Sequence, residues 1–129
     1  MRTGPVILVL SPSGLATAER VRDGLDGAAI HARAGRVDGG EVTFDSFAAH
    51  ALGLFAGGTP IIGVCAAGAL IRVLAPTLRE KWTEPPVVAV AEDGSAVVPL
   101  LGGHRGGNDL ALAIGTALDV VPALTTAGD

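Results

Sequence analysis

The chain alternates compact apolar runs with helical-period segments. Val6-Ile-Leu-Val-Leu10 is an unbroken apolar run stopped by Ser11-Pro-Ser-Gly14. A short run of this kind, rich in branched residues and bounded by turn formers, predicts a buried strand. Leu15, Ala18, Val21, Arg22 and Leu25 fall on one stripe, which predicts a helix from Leu15 to Gly24 with Ser13 as its cap. Weak alternation over Ala28 to Ala34 predicts a second strand, and Gly35 to Gly40 is a turn-rich break. Phe44, Phe47, Ala48, Ala51, Leu52 and Phe55 recur at helical spacing, so a helix is expected over Ser46 to Phe55, closed by Gly57-Gly58. Pro60-Ile-Ile-Gly-Val-Cys65 predicts a third strand buried on both faces. A short helix follows over Ala69 to Ala75.

The second half continues the pattern. Thr77 to Pro86 is a polar excursion. Val87 to Ala91 and Ala96 to Leu101, joined by Glu92-Asp-Gly-Ser95, predict a hairpin. Gly102 to Gly107 is a loop, and Asn108 or Asp109 is expected to cap a helix running to about Leu118. Pro122 to Thr126 reads as a last short strand. Strands alternating with helices predict an α/β fold: a three-layer sandwich with a mostly parallel sheet and helices on both faces. The hairpin makes the sheet mixed. In 129 residues this is one domain, 1–129.

Composition narrows the function classes. The chain has 19 Gly and 22 Ala, one Trp (Trp82), three Phe and no Tyr. The 49% apolar fraction and 17% charged fraction exclude wholesale disorder. Nine basic against 13 acidic residues give a net charge of -4, which disfavours polyanion binding. Scarce aromatics further disfavour single-stranded nucleic acid, so no nucleic-acid partner is expected. No apolar run reaches membrane-spanning length, so no membrane association is expected. Cys65 is the sole cysteine, which rules out a disulfide scaffold. With no signal-like run, it suggests a reducing, cytoplasmic setting.

Two segments carry candidate chemistry. Leu100-Leu-Gly-Gly-His-Arg-Gly-Gly-Asn-Asp-Leu110 leaves a strand and enters a helix. Glycines let backbone N–H groups converge on a ligand, and a helix start attracts anions. Arg105 adds a planar cation, His104 a group able to act as acid or base, and Asn108 both donors and acceptors. The plain alternative is a tight turn with no ligand. The spacing is not that of a nucleotide loop. The second segment, Gly63-Val-Cys-Ala-Ala-Gly-Ala-Leu-Ile-Arg72, has small residues where a ligand approaches open α/β sheets. It also carries Arg72, which is either a carboxylate clamp or an exposed helix residue or internal ion-pair partner. Both turns are expected on the same edge of the sheet. Cys65 is expected to be buried and inert, His31 and His50 surface or structural, and Trp82 either a lid residue or, the favoured reading, packed over the sheet edge. The scattered histidines give no metal site.

Three pieces in fixed order carry a family resemblance: Ala66-Ala-Gly-Ala-Leu-Ile-Arg-Val-Leu-Ala-Pro76, Lys81-Trp-Thr-Glu-Pro-Pro-Val-Val88, and Leu101-Gly-Gly-His-Arg-Gly-Gly-Asn-Asp-Leu-Ala111, followed by Pro122-Ala-Leu-Thr-Thr126. The ordered set, from about Thr59 to Asp129, resembles the N-terminal domain of the CbiG family, the cobalt-precorrin-5A hydrolases of cobalamin biosynthesis. Residues 1–58 share only the strand–helix pattern. The chain departs from the family pattern at Glu84 (usually Asp), Gly102 (usually Ser), the missing Ala before Asn108, and the final Gly128-Asp129.

The resemblance implies a carboxylate-rich precorrin or cobalt-precorrin as ligand, other cobalamin-pathway domains or enzymes as partners, and no cofactor in this domain. It implies that Arg72, Lys81 and Arg105 pair with substrate carboxylates and that His104 activates water or moves a proton at a lactone. It places Gly68, Gly102, Gly103, Gly106, Gly107, Asn108, Thr125 and Thr126 among the binding positions. A similar domain is also found fused ahead of precorrin-3B C17-methyltransferase. The expected functions are therefore a precorrin-binding domain related to lactone opening or to C17-methylation with ring contraction, a non-catalytic fusion or assembly domain, or an unrelated small-anion module. In each pathway reading the chain is one module of a longer protein.

Overall fold

The computed structural model describes residues 4–127; Gly128 and Asp129, where one family departure falls, lie outside the described residues. The elements are β1 (Val6–Val9), α1 (Leu15–Asp23), β2 (Ala29–Arg33), β3 (Val42–Phe44), α2 (Phe47–Ala56), β4 (Ile61–Val64), α3 (Ala67–Leu74), β5 (Val87–Val90), β6 (Val97–Leu101) and α4 (Gly107–Leu118). Single 3-10 turns occupy Pro12–Gly14, Ala75–Thr77 and Gly103–Arg105. One sheet runs β3-β2-β1-β4-β5-β6. Its first five strands in that order are mutually parallel, and β6 is antiparallel to β5.

Alternation of side chains along each strand builds two cores. Ile7, Val9, Ile30, Ile62, Val64, Val88 and Val90 face α1 and α4, meeting Ala18, Val21, Ala111 and Ile114. Val6, Leu8, Ile61, Val87 and Ala89 face the opposite way, onto Ala51 and Phe55 of α2 and Leu70 and Leu74 of α3. Strands covered on both faces need apolar residues at every position, which is why β1, β4 and β5 read as continuous runs. The fold is the three-layer α/β sandwich expected. Gly63 shows why small residues recur: a Cβ there would lie 2.6 Å from Leu70 Cδ1, so α3 sits close on β4. That space is filled by Leu70 and is not left for a ligand.

Several local expectations are corrected. Ser13 lies inside the first 3-10 turn, and Gly14 takes the N-cap of α1 without a side-chain bond. Strand β3 was hidden because it is three residues long and its one buried side chain, Phe44, also fits the helical stripe of α2. Helix α3 begins at Ala67, so Gly68 is helical. Gly106, not Asn108 or Asp109, caps α4. Pro122 to Thr126 is no strand. It runs beside β6 and makes one ladder-like bond, Ala123 N–H to the Val97 carbonyl at 2.9 Å. Pro122 has no N–H to donate, and Leu124, Thr125 and Thr126 remain exposed.

The hairpin decides where the candidate loops fall. Leu101 ends β6 opposite Val87, the first residue of β5. The Gly102 loop is therefore at the amino ends of the parallel strands, whereas Cys65 to Gly68 leave the carboxyl end of β4. The two glycine-rich turns sit at opposite ends of the sheet, not on one edge.

Candidate functional site

At the amino end of the sheet, two chain segments converge beside the Gly102 loop. The first is the turn after α3. Glu84 organises it: its carboxylate accepts the backbone N–H groups of Arg79 at 2.7 Å and Glu80 at 3.0 Å. These bonds hold the Glu84 carboxyl below its ordinary pKa. The Thr83 and Glu84 N–H groups donate to the Glu80 carbonyl, both at 3.1 Å. Lys81 and Trp82 sit at the tip of this closed turn. The second segment is the tail after α4, which brings Thr126 against Gly103. The Asn108 amide donates to Thr126 Oγ1 at 3.0 Å and fixes that approach.

The loop itself is tightly wound. Gly102 has φ +70, and a Cβ there would lie 3.0 Å from Pro86 Cα. Left-handed backbone and this contact both demand glycine, so a Ser at this position would be strained. The Arg105 and Gly107 N–H groups both donate to the Gly102 carbonyl at 2.9 Å. Those two amides close the loop and are not offered to a ligand. The single 3-10 turn Gly103–Arg105 projects His104 and Arg105 into solvent. Among the described residues no side-chain hydrogen bond orients the His104 ring.

The result is a groove of about 180 Å³ lined by Lys81, Trp82, Gly102, Gly103, His104, Arg105 and Thr126. Asn108 backs it through Thr126. The structure thus brings together Lys81, Gly102, Gly103, His104, Arg105 and Thr126 from the sequence-derived set. Gly106 and Gly107 shape the loop, with Gly106 at φ +101. Thr125 is exposed and does not line the groove, and neither does Arg72, exposed on α3. Gly68 lies at the other end of the sheet, and a Cβ there would meet nothing within 4 Å. Trp82 does not pack over the sheet edge; it is 60% exposed. Lys81 Nζ lies 4.9 Å from its ring centroid, a cation–π distance.

A second concavity opens at the carboxyl ends of the strands, beside the point where β1 and β4 leave the sheet in opposite directions. Open α/β sheets usually bind ligands there. It is lined by Ser13, Cys65, Ala66, Ala91, Glu92 and Asp93, with a volume of about 520 Å³. The Ser11 hydroxyl donates to the Glu92 carboxylate, and Thr17 Oγ1 donates to the Glu92 carbonyl at 2.6 Å. Its charges are acidic, so it repels a carboxylate-rich ligand. Burial, with the Glu92 charge adding, pushes the Cys65 thiol up to about 11. His104 is at the far end of the sheet and is no base for it, so Cys65 lacks the features of a nucleophile.

Sequence reasoning missed the pairing of His31 and His50. His31 Nδ1 and His50 Nε2 are 2.7 Å apart, and Phe44 stacks on His50 at 4.7 Å between ring centroids. The residues lie on β2 and α2, and no spacing rule links them until β3 is seen to pair with β2. Among the described residues no group of three His, Cys, Asp or Glu side chains is placed to hold a metal ion.

Residues 49–129 match the family model for the cobalamin synthesis G N-terminal domain. The chain belongs to this family. It is 36% identical over 125 residues to the cobalt-precorrin-5A hydrolase of Salmonella typhimurium, covering 95% of this chain and 35% of that protein. It is 40% identical over 70 residues to the cobalt-precorrin-5A hydrolase of Priestia megaterium, covering 54% of this chain and 19% of that one. A crystal structure of a putative cobalamin biosynthesis protein G homolog from Sulfolobus solfataricus superposes with a TM-score of 0.72 at 21% identity, over 95% of this chain and 36% of that one. That likeness shows the fold. The chain spans about a third or less of the curated relatives it matches. Likeness to the Salmonella relative covers most of residues 1–58 as well, beyond the strand–helix pattern expected there.

Proposed function

We propose that this domain binds a carboxylate-rich precorrin through the groove at the amino end of the sheet, as one module of a protein that opens the cobalt-precorrin-5A lactone. The observation that carries the reading is the convergence of Lys81 and Arg105 on one groove in a chain of net charge -4. Local cations in an acidic protein select acidic ligands by position, not by bulk charge. Arg105 offers paired planar donors matched to a carboxylate, and Lys81 a mobile point charge. At about 180 Å³ the groove is smaller than the ~300–1,000 Å³ typical of a small-molecule site, so it takes an acetate or propionate arm and leaves the macrocycle outside.

Catalysis asks more of the site. Lactone opening needs a group that activates water and another that stabilises the oxyanion. His104 reaches the groove, but among the described residues nothing orients it, and two loop amides are spent on Gly102. This favours a binding role here, with the reacting groups supplied by sequence beyond this domain. His104→Gln then changes affinity little.

Isothermal titration with a corrinoid carrying free acetate and propionate arms tests the reading. Binding should weaken about 10- to 100-fold in Lys81→Ala and in Arg105→Ala, the size of a lost charged hydrogen bond of ~1.5–3 kcal/mol. Arg72→Ala should match the native chain. Equal affinity in all three variants, or no heat at millimolar ligand, overturns it.

A further inference from the structure

Spacing along the chain offered no metal site, but the fold brings two of the three histidines together. Ile30 and Ala32 of β2 face α1 and α4, so His31 between them faces α2. There His31 Nδ1 and His50 Nε2 approach to 2.7 Å, with ring centroids 5.0 Å apart and planes tilted by 45°. Phe44 of β3 stacks on His50 within 6° of parallel and fixes the plane of that ring. Both imidazoles are half-buried, so solvent and small ions still reach them. Among the described residues their mutual contact is the only hydrogen bond either ring makes. The pair lies in the β3-β2 half of the sheet, whereas the Gly102 loop follows β6 at the other edge.

We propose that His31 Nδ1 and His50 Nε2 chelate a divalent transition ion, Zn²⁺ or Cu²⁺, which clips α2 to β2. Neutral imidazole is the commonest protein ligand for such ions. Bonds of ~2.0–2.1 Å to one ion place two neighbouring ligand nitrogens about 2.9–3.3 Å apart. The pair therefore opens by only roughly 0.2–0.6 Å, with a small rotation that turns both lone pairs to one point. In the metal-free pair one ring donates its N–H to the other's lone pair. Coordination needs both lone pairs, so the donor ring moves its proton, through water, to its opposite nitrogen, which has no protein partner to lose. Two nitrogen–metal bonds replace one hydrogen bond, and two waters leave the ion. Burial lowers both imidazole pKa values, which keeps the rings in the neutral, ligating form. Glu41 spends its oxygens on Arg22 and the Ile30 N–H, so it lends His31 negative charge and no ligand. With two protein ligands the remaining positions fall to water, so the site is open and exchangeable, unlike a closed four-ligand structural centre.

The test titrates the full chain, stripped of metal by a chelator, with zinc chloride at pH 7.5 and follows binding by calorimetry. One Zn²⁺ should bind per chain. H31N and H50Q should each weaken it about tenfold or more, because each breaks the chelate. H104Q, which removes the exposed third histidine, should bind as the native chain does. The chain has three histidines, so imidazole nitrogen resonances give a readout that needs no variant. His31 Nδ1 and His50 Nε2 should move on adding Zn²⁺, and the His104 ring should not. Bound Cu²⁺ should show hyperfine splitting from two imidazole nitrogens in electron paramagnetic resonance. Weakening in only one of H31N and H50Q identifies a single-imidazole contact and overturns the chelate. Undiminished binding in both variants, equal movement of all three rings, or no binding at millimolar Zn²⁺ overturns it as well. If either variant fails to fold, the native resonances decide.

Discussion

Single positions carry different demands that look alike in the sequence. Gly68 and Gly102 both stand in glycine-rich turns. Gly102 holds φ +70 against Pro86, while Gly68 is helical with open space around it. Gly102→Ala should lower stability by about 1–2 kcal/mol from the left-handed backbone alone. Gly68→Ala should raise it by about 0.5–1 kcal/mol. Urea unfolding of the two variants checks this, and a neutral Gly102→Ala would contradict the loop geometry. Cys65 gives a second residue-scale prediction. With its thiol pushed up to about 11, only a small fraction is thiolate near neutral pH. Alkylation by iodoacetamide at pH 7.5 should be far slower than for a free thiol and should become fast in denaturant. Fast labelling of the native chain would refute the burial.

Elements and their contacts were legible where one element decided the outcome, and illegible where two had to meet. The runs of β1, β4 and β5 and the stripes of α1 and α2 could be read because each is buried by its own pattern. β3 could not, because three residues carry no period. The His31–His50 contact depends on β3 pairing with β2, so it was invisible as well. That contact predicts a pH response. Burial lowers both imidazole pKa values; at His31 repulsion from His50 adds, and Glu41 opposes it. The folded state therefore resists protons that the unfolded chain takes up near its unperturbed value of ~6.5. The stability contribution is fully present above that value and is lost as pH falls through it toward the lowered folded values. The urea midpoint should be flat from pH 7 to 8 and decline from about pH 6.5 downward. His50→Gln should flatten the decline. An unchanged slope in that variant would place the pH response elsewhere, for example in Glu41 or Asp93, whose carboxyls are also held low but titrate in more acidic solution.

At the scale of the whole molecule, one antiparallel strand reorganises the candidate site. The alternating pattern correctly yields a three-layer fold, and the ordered motifs correctly point to the cobalamin synthesis G N-terminal family. The expected hairpin is present, but its consequence runs against the expectation of one shared edge: β6 turns back and carries Gly102 to Asn108 to the amino end of the sheet, away from Cys65 to Gly68. Half of the residues grouped by motif are grouped in space as well: Lys81, Gly102, Gly103, His104, Arg105 and Thr126 share the groove, whereas Gly68, Arg72 and Thr125 do not. The carboxyl-end concavity has the larger volume and the more usual position, and charge decides against it. The proposed polycarboxylate ligand would meet Lys81 and Arg105 at the amino end, whereas the rival concavity presents Glu92 and Asp93. Amide chemical-shift mapping during titration with a corrinoid bearing free carboxylate arms separates the two ends in one experiment. Binding at the amino end should centre the shifts on Lys81 to Glu84, Gly102 to Asn108 and Thr126. Shifts centred on Ser11 to Gly14, Cys65 to Gly68 and Glu92 would contradict it.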